Sequence, residues 1–388
     1  MNKKRRLIDQ MKKEGIELLI ASTPENVMYL TDYWSLSQKV VRGVQTYALF
    51  SKSMKKPVLI IPISDGDLVG IKDLKVVPYG SFYINKSTNK LSRTEQVINE
   101  IFRIERKKSG IQALIDVIKE ENFDSSVIGV ENEIPYQVLN KLKREFPELK
   151  IKEATDLFHR VRMVKTNEEI KKLKKSANII ERGIESTLQC LTEGISEIEV
   201  AKELKKEIIE KGADIGFIVV GFGTHSAYPN AHPSKNKLKR GDIVRFDVGC
   251  LWDHYYSDTA KTIVFGKKET TKQKKYYDVI VNAQKKGIES AKPGVRVSEI
   301  YNIMIKTIQK KIPHYNRHHF GHGIGLEVHQ PPIITGENTT LLQKDMVINI
   351  EAPYYELGFG GLQVEDTLII TEKSNEVITT IDEILEVL

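Results

Sequence analysis

The chain has 388 residues, which exceeds the size of one ordinary hydrophobic core and predicts two domains. Hydrophobic residues make up 40%, charged residues 29% and aromatic residues 7%, a composition typical of a soluble globular protein that excludes a largely disordered chain. The net charge is +7, with 59 Lys and Arg interleaved among 52 Asp and Glu. Because the basic residues are interleaved with acidic ones, the sequence argues against a nucleic-acid partner. The apolar runs are short, which argues against a membrane protein.

The compartment follows from two further features of the sequence. The first residues are strongly charged and lack the continuous apolar stretch of a signal peptide. The two cysteines, Cys190 and Cys250, form neither a disulfide framework nor a metal-binding spacing. We therefore expect a cytoplasmic protein.

The first part of the chain, residues 1–158, alternates short apolar runs with amphipathic segments. This alternation predicts an α/β domain. Because it contains no cluster of His, Asp or Glu, we interpret it as a domain for scaffolding, substrate shaping or dimerisation. The predicted strands are Leu18–Ala21, Tyr47–Phe50, Pro57–Ile63 and Val127–Val130.

Longer helices begin in the second part, residues 159–388. Thr166 and Glu169, and later Ser196 and Glu199, have the spacing of a capping box, in which each side chain satisfies a free backbone donor at a helix start. Strands follow these two helices, and the same order then repeats, which predicts two similar halves with a cleft between them. The predicted elements after the first two helices are strands at Ile215–Gly221, Asp242–Cys250 and Tyr256–Phe265, helices near 272–290 and 298–311, and strands from Arg317 onward.

Two aspartates lie in this strand-rich region. Asp247 stands among apolar residues, where a charge is unfavourable unless it meets a cation. Asp258 follows at the start of the next predicted strand, and a turn near Trp252 and Asp253 brings the two carboxylates together. Since two bare carboxylates repel each other, a metal ion is the simplest source of compensating charge.

The second half supplies three more candidate ligands. His322 lies in a glycine-punctuated segment, and Glu351 and Glu365 each lie at the edge of an apolar strand. One imidazole and four carboxylates balance two divalent ions, and this oxygen-rich set suits Mn²⁺, Co²⁺, Zn²⁺ or Fe²⁺. Because a pair of such ions lowers the pKa of a shared water and polarises a carbonyl, the expected chemistry is amide hydrolysis.

The C-terminal part resembles the pita-bread metallopeptidases, the group that contains methionine aminopeptidase, aminopeptidase P, prolidase and creatinase. The similarity covers about residues 160 to 388, and a creatinase-like N-terminal domain precedes it. The resemblance implies an α+β protein with a C-terminal pita-bread fold and an N-terminal creatinase-like α/β domain. The matching segments are Arg162–Ile170, Gly241–Gly249, Ser257–Thr262, Gly321–His329 and Glu365–Thr367.

The resemblance also implies a role for each candidate residue. Asp247 binds one metal ion, His322 and Glu351 bind the other, and Asp258 and Glu365 bridge both. Glu351 also takes the proton of the attacking water, and His329 donates a hydrogen bond to the substrate carbonyl or its tetrahedral intermediate. The implied cofactor is two divalent ions, with Mn²⁺ preferred, and the implied assembly is a homodimer.

The active-site loop departs from the family pattern. A further catalytic histidine is expected at the position that gapless counting gives to Asn230, but the chain has His232 two residues later. Either the loop changes its course and His232 takes this role, or the contact is lost. We expect the former, with His225 as the second candidate.

Three other departures concern the second half. Gln363 stands where prolidases and aminopeptidases P carry Arg, and Gln330 replaces the Glu that follows the second catalytic His. The aromatic and glycine-rich segment Pro353–Gly361 is also unusual, and its tyrosines are candidates for lining a specialised pocket.

The leading functional prediction is an Xaa-Pro dipeptidase or aminopeptidase that acts on small peptides. The enzymatic alternative is a hydrolase of a small non-peptide C–N bond, similar to creatinase and ectoine hydrolase, which the departures favour. A catalytically inactive binding module is the alternative from another class, but such proteins typically lose ligand residues, and all five are present here.

Overall fold

The structure is a computed structural model that describes residues 3–87, 90–379 and 385–388. The chain divides into two compact units, Met1–Val161 and Arg162–Leu388. Each unit has its own hydrophobic core. The units are described in turn because the site lies within the second.

Unit 1 contains a six-stranded mixed sheet. Its strand order is β4 (Lys75–Tyr79), β3 (Val58–Pro62), β2 (Tyr47–Phe50), β1 (Leu18–Ala21), β5 (Val127–Val130) and β6 (Lys150–Glu153). The four predicted strands are confirmed, since their continuous apolar runs are buried on both faces of the sheet. The outer strands β4 and β6 were not predicted, because their lysines interrupt the apolar pattern. The elements are α1 (Lys3–Glu14), β1 (Leu18–Ala21), α2 (Pro24–Thr31), α3 (Leu36–Val40), β2 (Tyr47–Phe50), β3 (Val58–Pro62), β4 (Lys75–Tyr79), α4 (Arg93–Arg103), α5 (Gly110–Glu120), β5 (Val127–Val130), α6 (Tyr136–Glu145), β6 (Lys150–Glu153) and α7 (Thr155–Met163).

Unit 2 confirms the predicted order of two helices followed by strands, present twice. Its nine-stranded sheet has the central order β11-β12-β13-β10-β8-β7, with three short strands added at its margins. The elements are α8 (Asn167–Leu188), α9 (Glu197–Glu210), β7 (Asp214–Phe222), β8 (Ile243–Trp252), β9 (Tyr255–Tyr256), β10 (Thr259–Val264), α10 (Thr271–Ser290), α11 (Val297–Gln309), β11 (Gly321–Gly323), β12 (Val347–Glu356), β13 (Gly360–Ile370), β14 (Asn375–Val377) and β15 (Glu386–Val387).

The helix starts agree with the capping residues in the sequence. Thr166 caps α8 and Ser196 caps α9, and each forms the predicted reciprocal pair with a Glu three residues later. Helix α8 packs on α9 and on β8, and α10 packs on α11, β12 and β13. The helices therefore cover one face of the sheet and leave the opposite face for the site.

The hairpin between β8 and β10 differs in detail from the prediction. The predicted strand Tyr256–Phe265 is split into β9 and β10 by Ser257 and Asp258. The turn at Asp253 and His254 has positive φ at both residues, as in a type I′ hairpin. Gly249 permits the return strand to approach, because a Cβ there would lie 2.1 Å from the carbonyl oxygen of Ser257.

Among the described helices, none combines the length and the apolar character that crossing a membrane demands.

Candidate metal centre

The strand register brings distant carboxylates into one row across the sheet. Asp247 on β8 pairs with Ala260 on β10, Ala260 pairs with Glu365 on β13, and Glu365 pairs with Glu351 on β12. Residues directly opposite each other across neighbouring strands project from the same face. Asp258 precedes Ala260 by two positions and therefore shares that face. The row explains why acidic residues far apart in the sequence meet.

Ligand atoms converge in two overlapping groups. Oxygens of Asp247, Asp258 and Glu365 lie within 4.8 Å of one another, as do ligand atoms of Asp258, His322 and His329. His322 Nε2 lies 3.4 Å from Asp258 Oδ2 and 3.7 Å from Glu365 Oε1. Among the described residues, no other group of three or more such side chains converges in this way.

Burial makes this arrangement electrostatically unfavourable without a cation. Burial, followed by repulsion from Asp247 and Glu351, raises the pKa of Asp258 well above its usual range. Burial and repulsion from Asp258 raise the pKa of Glu365 in the same way. Burial also raises the pKa of Asp247 and Glu351, although a nearby arginine opposes the shift at each. Four acidic groups in this state require positive charge in order to ionise together.

Two buried atoms have the properties of free ligand atoms. Asp258 Oδ1 and His322 Nε2 are buried and have no hydrogen-bond partner among the described residues. His322 Nδ1 donates to the carbonyl oxygen of Gly323 over 3.1 Å, which leaves the lone pair of Nε2 available. Since buried polar atoms are normally hydrogen-bonded, these two unsatisfied atoms fit a divalent ion.

Glu351 lies in the row but contacts side chains that the sequence analysis did not single out. Arg317 donates to Glu351 Oε2 over 3.0 Å, and His319 Nδ1 lies 3.1 Å from Glu351 Oε1. Burial, with the positive charge of Arg317 as the next cause, lowers the pKa of His319 to about 3. His319 lies in the glycine-punctuated segment 318–329 and Arg317 directly precedes it, but their spacing from His322 does not indicate contact with Glu351.

Arg245 was also missed, although a sequence signal was available. It precedes Asp247 by two positions, as Gln363 precedes Glu365, so all four side chains project from one face. Its Nη1 donates to Gln363 Oε1 over 2.7 Å and lies 3.3 Å from Asp247 Oδ2. The period of two along both strands predicts this contact once the strands are aligned.

His329 lies beside the metal-ligand cluster and remains accessible. Its ring centroid is 3.8 Å from that of His322, and its Nε2 is 3.9 Å from Asp258 Oδ2. The side chain is 59% exposed, which leaves it open to a ligand in the cavity. Burial of part of the ring, with His322 as the next cause, lowers the pKa of His329 to about 4.

The expectation for His232 is not supported by its position. His232 is exposed and does not line the cavity, whereas Pro229 and Asn230 do. His225, the second candidate, is held by the buried carboxylate of Glu197 at 2.8 Å. The part of this loop that lines the cavity is therefore Pro229 and Asn230, and His232 lies outside the lining.

The other departures have clear structural counterparts. Gln330, which directly follows His329, is buried and accepts a hydrogen bond from Arg162 over 2.9 Å. This bond fixes the chain next to His329. In the segment Pro353–Gly361, Tyr355 lines the main cavity and donates to Gln363 Oε1 over 2.9 Å. Tyr354 lines a second cavity of about 450 Å³, which Tyr355 also borders. The tyrosines thus line pockets, as the sequence suggested.

A cavity of about 740 Å³ opens over the carboxylates of Asp247, Asp258, Glu351 and Glu365, which we call the carboxylate row. Its volume lies within the range of small-molecule sites. Its lining combines apolar side chains with the histidines and Arg317. The lining residues are Phe217, Ile218, Val219, Pro229, Asn230, Asp247, Asp258, Arg317, His318, His319, His322, Val328, His329, Glu351, Tyr355, Gln363 and Glu365.

The fold and the cluster of ligand atoms define a metal-dependent hydrolase. A profile of metallopeptidase family M24 matches residues 171–372, and a profile of the Creatinase/Prolidase N-terminal domain matches residues 3–164. The chain belongs to metallopeptidase family M24. This result confirms the resemblance found in the sequence.

Individual relatives agree with this assignment. The chain is 34% identical over 255 residues to an Xaa-Pro dipeptidase of Pyrococcus horikoshii, covering 65% of this chain and 72% of the relative. It is 28% identical over 377 residues to the putative dipeptidase YkvY of Bacillus subtilis, covering 96% of both. The solved Xaa-Pro dipeptidase from Bacillus anthracis superposes with a TM-score of 0.81 at 26% identity, covering 100% of this chain and 99% of that chain.

We predict that Asp258→Ala abolishes divalent-ion loading and activity while the fold is retained, because the substitution removes the carboxylate that belongs to both groups of ligand atoms. Elemental analysis after loading with Mn²⁺, together with circular dichroism, measures both properties. Asp253→Ala is the matched control, since Asp253 lies on the same hairpin but pairs with Lys172 at 2.8 Å outside the cluster. Full metal loading of a folded Asp258→Ala protein would contradict the assignment.

Proposed function

We propose that this protein hydrolyses the peptide bond preceding proline, as an Xaa-Pro dipeptidase or aminopeptidase, with two divalent ions bound by Asp247, Asp258, His322, Glu351 and Glu365. The observation that carries the proposal is the convergence of three carboxylates within 4.8 Å, two of them buried and that of Asp247 half-buried, together with an unsatisfied imidazole nitrogen. We propose Mn²⁺ as the preferred ion because the ligands are mainly oxygen atoms.

The substrate class is supported by the relatives and by the cavity wall. Proteins similar to this chain include Xaa-Pro dipeptidases. Phe217, Val219, Pro229 and Val328 provide apolar surface beside the carboxylate row, which suits an apolar ring such as that of proline. These apolar side chains can contact the proline ring without any charged group on the substrate.

In this proposal the five ligands would hold divalent ions, which would supply a lowered pKa for a water molecule and polarisation of the substrate carbonyl. Glu351 accepts the proton of the attacking water and delivers it towards the leaving nitrogen. His329 is neutral at pH 7, because its pKa is lowered to about 4, and its ring N–H donates to the developing oxyanion. Arg317 and His319 orient the Glu351 carboxylate through contacts of 3.0 and 3.1 Å.

A comparison of substrates with Mn²⁺-loaded protein tests the proposed activity. We expect hydrolysis of Gly-Pro, Ala-Pro or longer Xaa-Pro peptides and little hydrolysis of Gly-Ala or Ala-Ala. Equal rates on peptides without proline would contradict the Xaa-Pro assignment. Turnover limited to small non-peptide amides would instead support the creatinase-like alternative, which the presence of Asn230 in the cavity wall favours.

We predict that His329→Ala lowers kcat by about 10²-fold or more, as expected for the loss of a transition-state donor. The ions should remain bound, because the five proposed ligands are unchanged. Steady-state kinetics combined with elemental analysis separates these effects. His314→Ala is the control, since His314 lines only the second cavity. A His329→Ala protein with parental kcat would exclude the donor role.

The proposed assembly is a homodimer formed through unit 1. Several large apolar side chains of this unit are exposed, including Val40 at 66%, Ile71 at 59% and Tyr83 at 78%. Val40 ends α3, which contacts the short 3₁₀ helix Ile63–Leu68, and Ile71 follows that helix closely in the chain. An apolar surface of this kind is typical of a protein interface.

Analytical ultracentrifugation tests the assembly. We expect twice the chain mass for the parent protein and the chain mass for Tyr83→Asp, because an uncompensated carboxylate disfavours burial in an interface. Tyr136→Asp is the control, since Tyr136 is equally exposed, at 75%, but lies on α6. A parent protein that sediments at the mass of one chain would exclude the dimer.

A further inference from the structure

Among the described residues, Arg245 has the largest side chain that is fully buried. It lies on β8, two residues before Asp247 and directly opposite Thr262 of β10. A buried guanidinium is highly unfavourable unless its donors meet acceptors with good geometry. The contacts that satisfy Arg245 therefore indicate what the residue holds in place.

The donors of Arg245 reach two different parts of the site. Nη1 faces the carboxylate row, through Asp247 and Gln363, while Nε and Nη2 face the loop after β7. The five contacts are Nε to Ser226 O at 2.9 Å, Nη1 to Asp247 Oδ2 at 3.3 Å, Nη1 to Gln363 Oε1 at 2.7 Å, Nη2 to Tyr228 O at 2.6 Å and Nη2 to Pro229 O at 3.2 Å.

The loop contacts matter because the loop forms part of the cavity wall. Pro229 and Asn230 line the cavity beside Asp247. The carbonyl groups of Ser226, Tyr228 and Pro229 all accept from the same guanidinium. One rigid planar group therefore fixes a candidate metal ligand and the adjacent substrate wall together.

We propose that Arg245 is a positioning residue that couples ion binding at Asp247 to the shape of the substrate-binding wall formed by Pro229 and Asn230. This inference rests on the proposed function, because it takes Asp247 as a ligand of one divalent ion. Neighbours that orient a metal ligand typically change metal affinity by about 10- to 100-fold when they are replaced. Arg245 has the additional loop contacts, so its loss affects substrate binding as well.

The neighbouring strand offers a way to separate the two roles. Gln363 Oε1 accepts from Arg245 Nη1 over 2.7 Å, and the same nitrogen lies 3.3 Å from Asp247 Oδ2. A guanidinium placed at position 363 can therefore reach Asp247 from β13. It leaves the three loop carbonyls without the donors that Arg245 provides. The exchanged variant Arg245→Gln/Gln363→Arg thus restores one role and not the other.

The experiment measures Mn²⁺ binding to metal-free protein by calorimetry, and kcat and KM on Ala-Pro with saturating Mn²⁺. For Arg245→Met we expect the affinity for one of the two bound Mn²⁺ ions to fall by about 10-fold or more. We also expect the KM for Ala-Pro to rise. For the exchanged variant we expect the Mn²⁺ affinity to return to within about threefold of the parent value, while KM stays raised. Arg6→Met is the control, because Arg6 is also buried but belongs to unit 1.

The outcomes are distinguishable. A parent protein that binds no Mn²⁺ would refute the proposed function. A parent that binds two ions, with unchanged affinity and KM in folded Arg245→Met, would refute only the positioning role. Equal losses in Arg245→Met and the exchanged variant would reduce Arg245 to a packing residue and also overturn the inference. If Arg245→Met does not fold, the split between affinity and KM in the exchanged variant decides.

Discussion

The mutual repulsion of four carboxylates, three of them buried and that of Asp247 half-buried, is the constraint on which the rest of the site depends. Asp247, Asp258, Glu351 and Glu365 are brought together by strand pairing, which the surrounding core enforces. Burial removes the solvent that would otherwise screen their charges. The sheet therefore holds a geometry that is unfavourable alone and becomes favourable when cations bind, which couples metal binding to the stability of the site.

The four carboxylates have different neighbours, and these differences agree with the roles proposed for each of them. The outer carboxylates, Asp247 and Glu351, each contact a guanidinium, from Arg245 and Arg317 respectively. The contacts of Asp258 and Glu365 are instead with histidines and neutral amides. Their pKa values are the ones raised well above the usual range, by burial and by neighbouring acids. The greatest need for positive charge thus falls on the two residues proposed to bridge both ions.

Much of this arrangement could be predicted from the sequence, because it depends on local signals. The capping boxes gave the helix starts, and the isolated acidic residues in apolar strands gave the candidate ligands. The path of the loop around His232 could not be predicted, since it depends on the buried Glu197, which holds Phe222, His225, Ser234 and Asn236. The contact of Arg245 with Gln363 was also missed, because strand register is a tertiary property that becomes apparent only when the pairing is known.

Anomalous diffraction from crystals grown with Mn²⁺ tests the central claim most directly. The account predicts two separate peaks per chain, both in contact with Asp258 and Glu365, with one also contacting Asp247 and the other contacting His322 and Glu351. A single peak, or peaks that leave Asp258 or Glu365 uncoordinated, would contradict the proposal that this row of carboxylates exists to hold a pair of divalent ions.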